Sequence, residues 1–257
     1  MSRKLAPLTK DEIILMKDVC RLAARTLAHA GKQVRPGITT NDIDRIVYEY
    51  TLQNDAIPAT LNYHGFPKSV CTSINGVICH GVPDDTALKE GDIINIDVTS
   101  IKHGFFGDTS ATFYVGEVSA AAQKLTECAK EAMWRGIQEV GPYKTTGDIG
   151  FAVNKYVTKQ GFYPVKEIGG HGIGKVFHGE PFVPSTGKKG RGEELIPWTC
   201  LTVEPMVNET DAPLEEFDIP GSSHKYYMAA DECLSAQFEH TILITDEGHE
   251  VLTLLDE

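Results

Sequence analysis

The sequence predicts an α/β fold in which one compact body is built from two duplicated halves, and three observations carry that expectation. Amphipathic helical runs alternate with short β-rich runs, a helix-start pattern returns after 106 residues, and acids interrupt apolar strands at matching places in both halves. Of 257 residues 41% are hydrophobic, enough for a sizeable core, and α/β chains of about this length are often one domain.

Taken in order, the first helix starts at Thr9, whose spacing to Glu12 is a capping box, and runs through Ile13, Met16, Cys20, Ala23 and Leu27 to Gly31. A second runs from Thr39 or Thr40 through Ile43, Ile46, Val47 and Tyr50. A third covers 119–140 and a fourth 146–160, before Gly161. Between them, 69–79, 92–100, 110–115, 200–207 and 241–245 read as strands. The stretch from Asn95 to Ser110 reads as a hairpin with its loop centred between Lys102 and His103, a register that sets Asp97 directly against Asp108. Like charges so placed repel, so the pair needs a cation or a shared proton.

The repeat is specific. Pro36, Thr39, Thr40, Asp42, Ile43, Val47 and Tyr50 match Pro142, Thr145, Thr146, Asp148, Ile149, Val153 and Tyr156. One residue of slip later, His64 falls on His171 and Asp97 on Glu204. The expected organisation is a single domain over residues 1–257 with an internal duplication, about 5–115 and 116–257.

A formal charge of −12 argues against a nucleic-acid surface. The basic run 187–191 reads as a solvated turn. Six scattered cysteines without a C-x-x-C pair fit reduced thiols in a cytosol. No signal peptide is evident, and nowhere do roughly 18 apolar residues run together. The expectation is a cytoplasmic protein with no membrane partner.

The chemistry resides in polar residues that break apolar strands or stand in glycine-rich turns: Asp97, Asp108, His171, Glu204 and Glu239. Each acid taken alone fits a helix cap or a surface ion pair. Together, four carboxylates in apolar strands need a cation, because a buried unpaired carboxylate neutralises or finds a partner. Hard oxygen ligands with one imidazole suit Mn, Fe, Co or Zn. Five ligands exceed one tetrahedral zinc, whereas two ions about 3.5–4 Å apart with a bridging carboxylate fit. His80 and His178 stand in Gly/Pro turns, either bonded to backbone or placed to donate to a developing oxyanion. His64 reads as structural, the duplicate of a ligand that lost its role. The run 169–176 nearly matches a phosphate-binding loop, but Val176 replaces the required hydroxyl and no G-x-S-x-G elbow is present.

Several motifs, Asn62-Tyr63-His64-Gly65-Phe66-Pro67, Ser73-Ile74-Asn75-Gly76-Val77-Ile78-Cys79-His80-Gly81, Asn95-Ile96-Asp97-Val98-Thr99, Gly107-Asp108-Thr109, Gly169-Gly170-His171-Gly172, Glu204-Pro205-Met206 and Gln237-Phe238-Glu239-His240, together resemble the bacterial type I methionine aminopeptidases. The resemblance spans most of the chain. It implies the pita-bread fold, a curved antiparallel sheet covered by helices about a pseudo-two-fold axis. It implies two divalent ions (Co, Mn, Fe or Zn) on Asp97, Asp108, His171, Glu204 and Glu239, with Asp108 and Glu239 bridging. It gives His80, His178 and Glu204 catalytic roles, and makes Tyr63, Phe66, Cys71 and Phe177, with the two histidines, the substrate pocket. Hydrolysis of the initiator methionine from new proteins and peptides follows, in a monomer that meets nascent chains and, transiently, the ribosome. Prolidases, aminopeptidase P and creatinases share the fold as alternatives. The chain departs from the family pattern at Thr60, Gly76 and Phe106, and in the acidic stretch 208–232, which reads either as a flexible surface loop or as a substrate gate offering Tyr226 or Tyr227.

Overall fold

A computed structural model of the chain describes residues 5–255. In chain order the first half holds α1 (Lys10–Gly31), α2 (Thr40–Gln53), β1 (Ile57–Pro58), β2 (Cys71–Ile74), β3 (Val77–Cys79), β4 (Ile93–Lys102) and β5 (Phe105–Tyr114). The second half opens with α3 (Ala120–Ile137), α4 (Thr146–Lys159), β6 (Tyr163–Pro164), β7 (Gly170–Ile173), β8 (Gly179–Val183), β9 (Cys200–Val203) and β10 (Met206–Asn208). It closes with β11 (Leu214–Asp218), β12 (Lys225–Ala229), β13 (Ser235–Gln237), β14 (His240–Ile244) and β15 (His249–Val251).

All four predicted helices form where their caps place them. Thr9, Thr39 and Thr145 each make a capping box, with Glu12, Asp42 and Asp148, and the Ser119 hydroxyl caps α3. Every strand pair is antiparallel. Along β4, Ile94, Ile96 and Val98 face the helices and bury against Leu27 of α1 and Ile43 and Val47 of α2. Strand alternation therefore turns Asn95, Asp97 and Thr99 to the opposite face. That face meets the second half: the Asn95 amide donates to the Gln237 carbonyl at 2.9 Å. Met16, Val19 and Cys20 of α1 bury with Ile173, Cys200 and Leu243 of the second half, so apolar packing also ties the halves together.

The repeat is visible in the strand registers. Ile57↔Ile101 and Pro58↔Ser100 recur as Tyr163↔Asn208 and Pro164↔Val207. The bridge Thr39↔Ala87 recurs as Thr145↔Glu194. Where β4 runs unbroken, its counterpart is split into β9 and β10 by Glu204 and Pro205, because proline has no N–H for the ladder.

Three sequence expectations are corrected. The β4–β5 loop is centred on His103 and Gly104, at φ 55° and 78°, so Asp97 pairs with Ser110 and Asp108 with Thr99. A two-residue hairpin with both central residues left-handed matches the strand twist, and that requirement places the turn. The acids share a face diagonally instead of standing opposite. His171 lies on a strand, β7, not in a turn. Its counterpart in the first half is Ser73, not His64: Gly172 pairs with Leu201 as Ile74 pairs with Ile94, and His171 and Ser73 each precede those residues.

Candidate metal centre

Four acids and one imidazole meet between the halves. Asp97 comes from β4, Asp108 from β5, His171 from β7, Glu204 from the β9–β10 break and Glu239 from the link between β13 and β14. All five line one cavity of about 280 Å³, together with Tyr63, Phe66, Cys71, His80, Phe177 and His178. The residues that the sequence assigns to metal, catalysis and substrate therefore all line this cavity. The halves join there through the bridge Ser110↔Glu239, the Thr241 hydroxyl donating to the Asp108 carbonyl and the Thr109 hydroxyl donating to the Glu239 carbonyl, both at 2.8 Å.

Asp108 and Glu204 are oriented by neighbours. Thr99 donates to Asp108 Oδ1 at 2.7 Å; Thr202 and Gln237 donate to the two oxygens of Glu204 at 2.8 and 3.1 Å. His171 Nδ1 lies 3.2 Å from the Gly172 carbonyl, which accepts, so this nitrogen carries the proton. The Nε2 lone pair then points toward Glu204 Oε1 at 3.5 Å and Asp108 Oδ2 at 3.7 Å. A lone pair facing two carboxylates is an arrangement for a cation.

The electrostatics agree. Burial pushes Asp97 up to about 7 and, with the Asp97 charge added, Glu204 up to about 8. Asp108 and Glu239 are pushed well above the carboxylate range, first by burial and then by the neighbouring acids. Burial lowers His171 to about 4, leaving the ring neutral and able to ligate. Asp97 Oδ1 and Glu239 Oε1 are buried with no hydrogen-bond partner among the described residues. Ligand atoms of Asp108, His171 and Glu239 all lie within 4.8 Å of one another. Orphaned acceptors, a neutral imidazole and four mutually repelling carboxylates fit divalent cation binding.

Around the acids, Tyr63, His178 and Phe177 form one aromatic wall: His178 Nδ1 is 3.0 Å from the Tyr63 hydroxyl, and Phe177 stacks on His178 at 4.1 Å between centroids. His80, at φ 59°, sets Nδ1 3.2 Å from the Lys225 carbonyl. The backbone-bonded reading of His80 is therefore met, and with the proton on Nδ1 its Nε2 is an acceptor, not a donor to a developing oxyanion.

The stretch 208–232 is not an irregular surface loop. It folds as the hairpin β11–β12, whose inner strand pairs with β3 through Tyr227↔Cys79. Tyr227 faces the cavity, while Tyr226 packs on the other side beside Phe66 and Ile219. The hairpin also brings His224 to the cavity, a residue the sequence reading missed. Among the described residues all six cysteines are free thiols, and no helix is long and apolar enough to cross a membrane.

Comparison with known proteins agrees with this geometry. The pattern of metallopeptidase family M24 matches residues 14–246. A methionine aminopeptidase of Rickettsia prowazekii is 44% identical over 248 residues, covering 96% of this chain and 94% of the relative. The crystal structure of methionine aminopeptidase from Rickettsia prowazekii superposes with a TM-score of 0.94 at 42% identity, over 98% of this chain and all of that one. The prolidase of Pyrococcus furiosus shares the fold at a TM-score of 0.75 and 20% identity, with 66% of its own length covered.

Proposed function

The chain belongs to metallopeptidase family M24, and on that premise we propose that it is a methionyl aminopeptidase removing the initiator methionine from new proteins and peptides. One observation carries the reading: five ligand-type side chains from both halves converge, with orphaned oxygens, on a cavity walled by Tyr63, Phe66, Cys71 and Phe177. An unbranched thioether suits such aromatic and sulfur surfaces. The single domain, the duplication at about 5–115 and 116–257, and the ligand roles belong to the same proposal.

Asp97, Asp108, His171, Glu204 and Glu239 would hold two divalent ions, Co, Mn, Fe or Zn, with Asp108 and Glu239 between them. Bound there, such ions supply Lewis acidity and a lowered water pKa near neutral pH. The protein's own groups do the rest. His178 is held neutral by burial, lowered to about 2, and with Nδ1 accepting from the Tyr63 hydroxyl its proton sits on Nε2. It donates to the oxygen of the scissile carbonyl as charge builds there. His80, lowered to about 4 by burial, has the opposite tautomer, since Nδ1 donates to the Lys225 carbonyl. Its Nε2 accepts from the scissile N–H. The two imidazoles thus match the two ends of one amide. Glu204, with both oxygens fixed by Thr202 and Gln237, takes the proton of the attacking water and returns it to the leaving amine. Asp97 faces the free amino group, which limits cleavage to the chain's first residue.

The test is release of methionine from Met-Ala-Ser with added Co or Mn, and its arrest by a chelator. No release with any metal refutes the reading. Preference for X-Pro peptides would instead favour the prolidase alternative. A cytoplasmic enzyme acting as a monomer on nascent chains, near the ribosome, is consistent with this activity.

A further inference from the structure

Four imidazoles lead from the floor of the cavity to its rim. His171 lies 4.5 Å from His178, His178 lies 6.4 Å from His224, and His224 lies 5.3 Å from His64, all between ring centroids. Burial falls along this line: Asp108 and Glu239 beneath it are buried, His178 and His224 are half-buried, and His64 is exposed. If the first residue of a peptide fills the floor, the rest of the chain must leave past His224.

His224 is built into that position. The tip of the β11–β12 hairpin is fastened to the first half, because the His64 carbonyl accepts from the Ser223 N–H and from the Ser222 hydroxyl, each at 2.9 Å. A Cβ on Gly65 would stand 2.5 Å from the Gly221 carbonyl, so the two segments touch through backbone. The His224 N–H donates to the Ser222 hydroxyl at 2.9 Å, which fixes the turn that delivers the ring. The ring packs against Tyr63 at 5.3 Å and His80 at 5.6 Å. Its two nitrogens make no hydrogen bond with the described residues. The ring lines the cavity and is positioned by packing, leaving its donor and its acceptor unengaged by the described residues.

We propose that His224 is a substrate-positioning residue, using a ring nitrogen to hydrogen-bond the backbone of the peptide's second residue as it leaves the cavity. The proposal rests on the aminopeptidase reading above. The ring's donor nitrogen suits a peptide C=O and its acceptor nitrogen a peptide N–H, one contact at a time, because the two ring sites point apart. Being further out than His80 and His178, it reaches the unit after the scissile one. It holds the chain in line without taking part in proton transfer.

The test compares kcat/KM of the metal-loaded protein for Met-Ala-Ser and for methionine amide, which has no second residue. His224→Phe keeps the ring packing and removes both polar atoms, while His224→Gln keeps a donor and an acceptor. For His224→Phe, the loss on Met-Ala-Ser should exceed the loss on methionine amide by about tenfold, the worth of one hydrogen bond, and should fall mainly on KM. His224→Gln should recover most of it. An equal loss on both substrates, no loss on either, or a Gln variant as selective in its loss as Phe overturns the proposal. Failure of the unaltered protein to release methionine from either substrate would refute the aminopeptidase reading instead, so the two failures are told apart.

Discussion

Asp108 answers to both halves of the molecule. Its Oδ1 accepts from Thr99 of its own hairpin, its Oδ2 faces His171 of the other half, and its backbone carbonyl takes the Thr241 hydroxyl. If it bridges two ions, no other side chain can replace it, because each ion loses a ligand and the remaining acids lose their compensation at once. Asp108→Ala is therefore expected to bring the metal content from two ions per chain to none, with methionine release lost in parallel. Elemental analysis of the purified variant checks this, and two tightly retained ions would remove Asp108 from the ligand set. The same compensation explains why single residues gave weak signals in the sequence. An aspartate in a strand is ambiguous until the other three acids are known to be close.

At the scale of elements, β7 and β9 carry the metal centre's second half, and their spacing is set by glycine. A Cβ on Gly170 would lie 2.3 Å from the Thr202 carbonyl. Thr202 also accepts from the His171 N–H at 3.0 Å and donates to Glu204 at 2.8 Å. Gly170→Ala must push the strands apart and move His171 and Glu204 together. The expected cost is about 1–3 kcal/mol of stability, as in other overpacked sites, together with weaker metal binding. Urea unfolding and metal titration measure the two effects, and a destabilised variant with unaltered metal affinity would show that β7–β9 spacing does not control the site. The helices were legible because their caps are local, with Thr9, Thr39 and Thr145 acting within three residues. Short strands such as β6, β8 and β15 escaped because pairing with distant partners, not their own composition, makes them strands.

For the molecule as a whole, the centre lies where two halves press acids together, so its charge state acts on stability. Asp97 and Glu204 are raised by burial from 3.8 to about 7 and from 4.5 to about 8. In the metal-free protein the folded state then holds more protons than the unfolded one, and stability falls as pH rises through these folded values. Below neutrality the buried histidines oppose this: burial lowers His80, His171 and His240 from 6.5 to about 4, and that stability is lost as pH drops. Above about pH 7, once the unfolded histidines have largely lost their protons, the raised Asp97 and Glu204 set the slope, so the metal-free thermal midpoint should decline up to about pH 8. Added divalent metal should raise the midpoint and flatten or reverse the slope, because ionised carboxylates are then paired. Thermal melts at fixed ionic strength decide it; a metal-free midpoint independent of pH would mean that the acids ionise together without a cation.

The sequence by itself determined the helices, the duplication, the five ligand-type residues and the family, since caps, repeats and motifs are local patterns. The residues it singled out for metal, catalysis and substrate line one cavity. Tertiary structure alone decided the β4–β5 register, which a left-handed pair at His103 and Gly104 shifted, and the pairing of His171 with Ser73 across the pseudo-two-fold. It alone turned 208–232 into a hairpin and brought His224 to the cavity mouth. These depend on which distant backbone groups find each other, and no run of neighbouring residues encodes that.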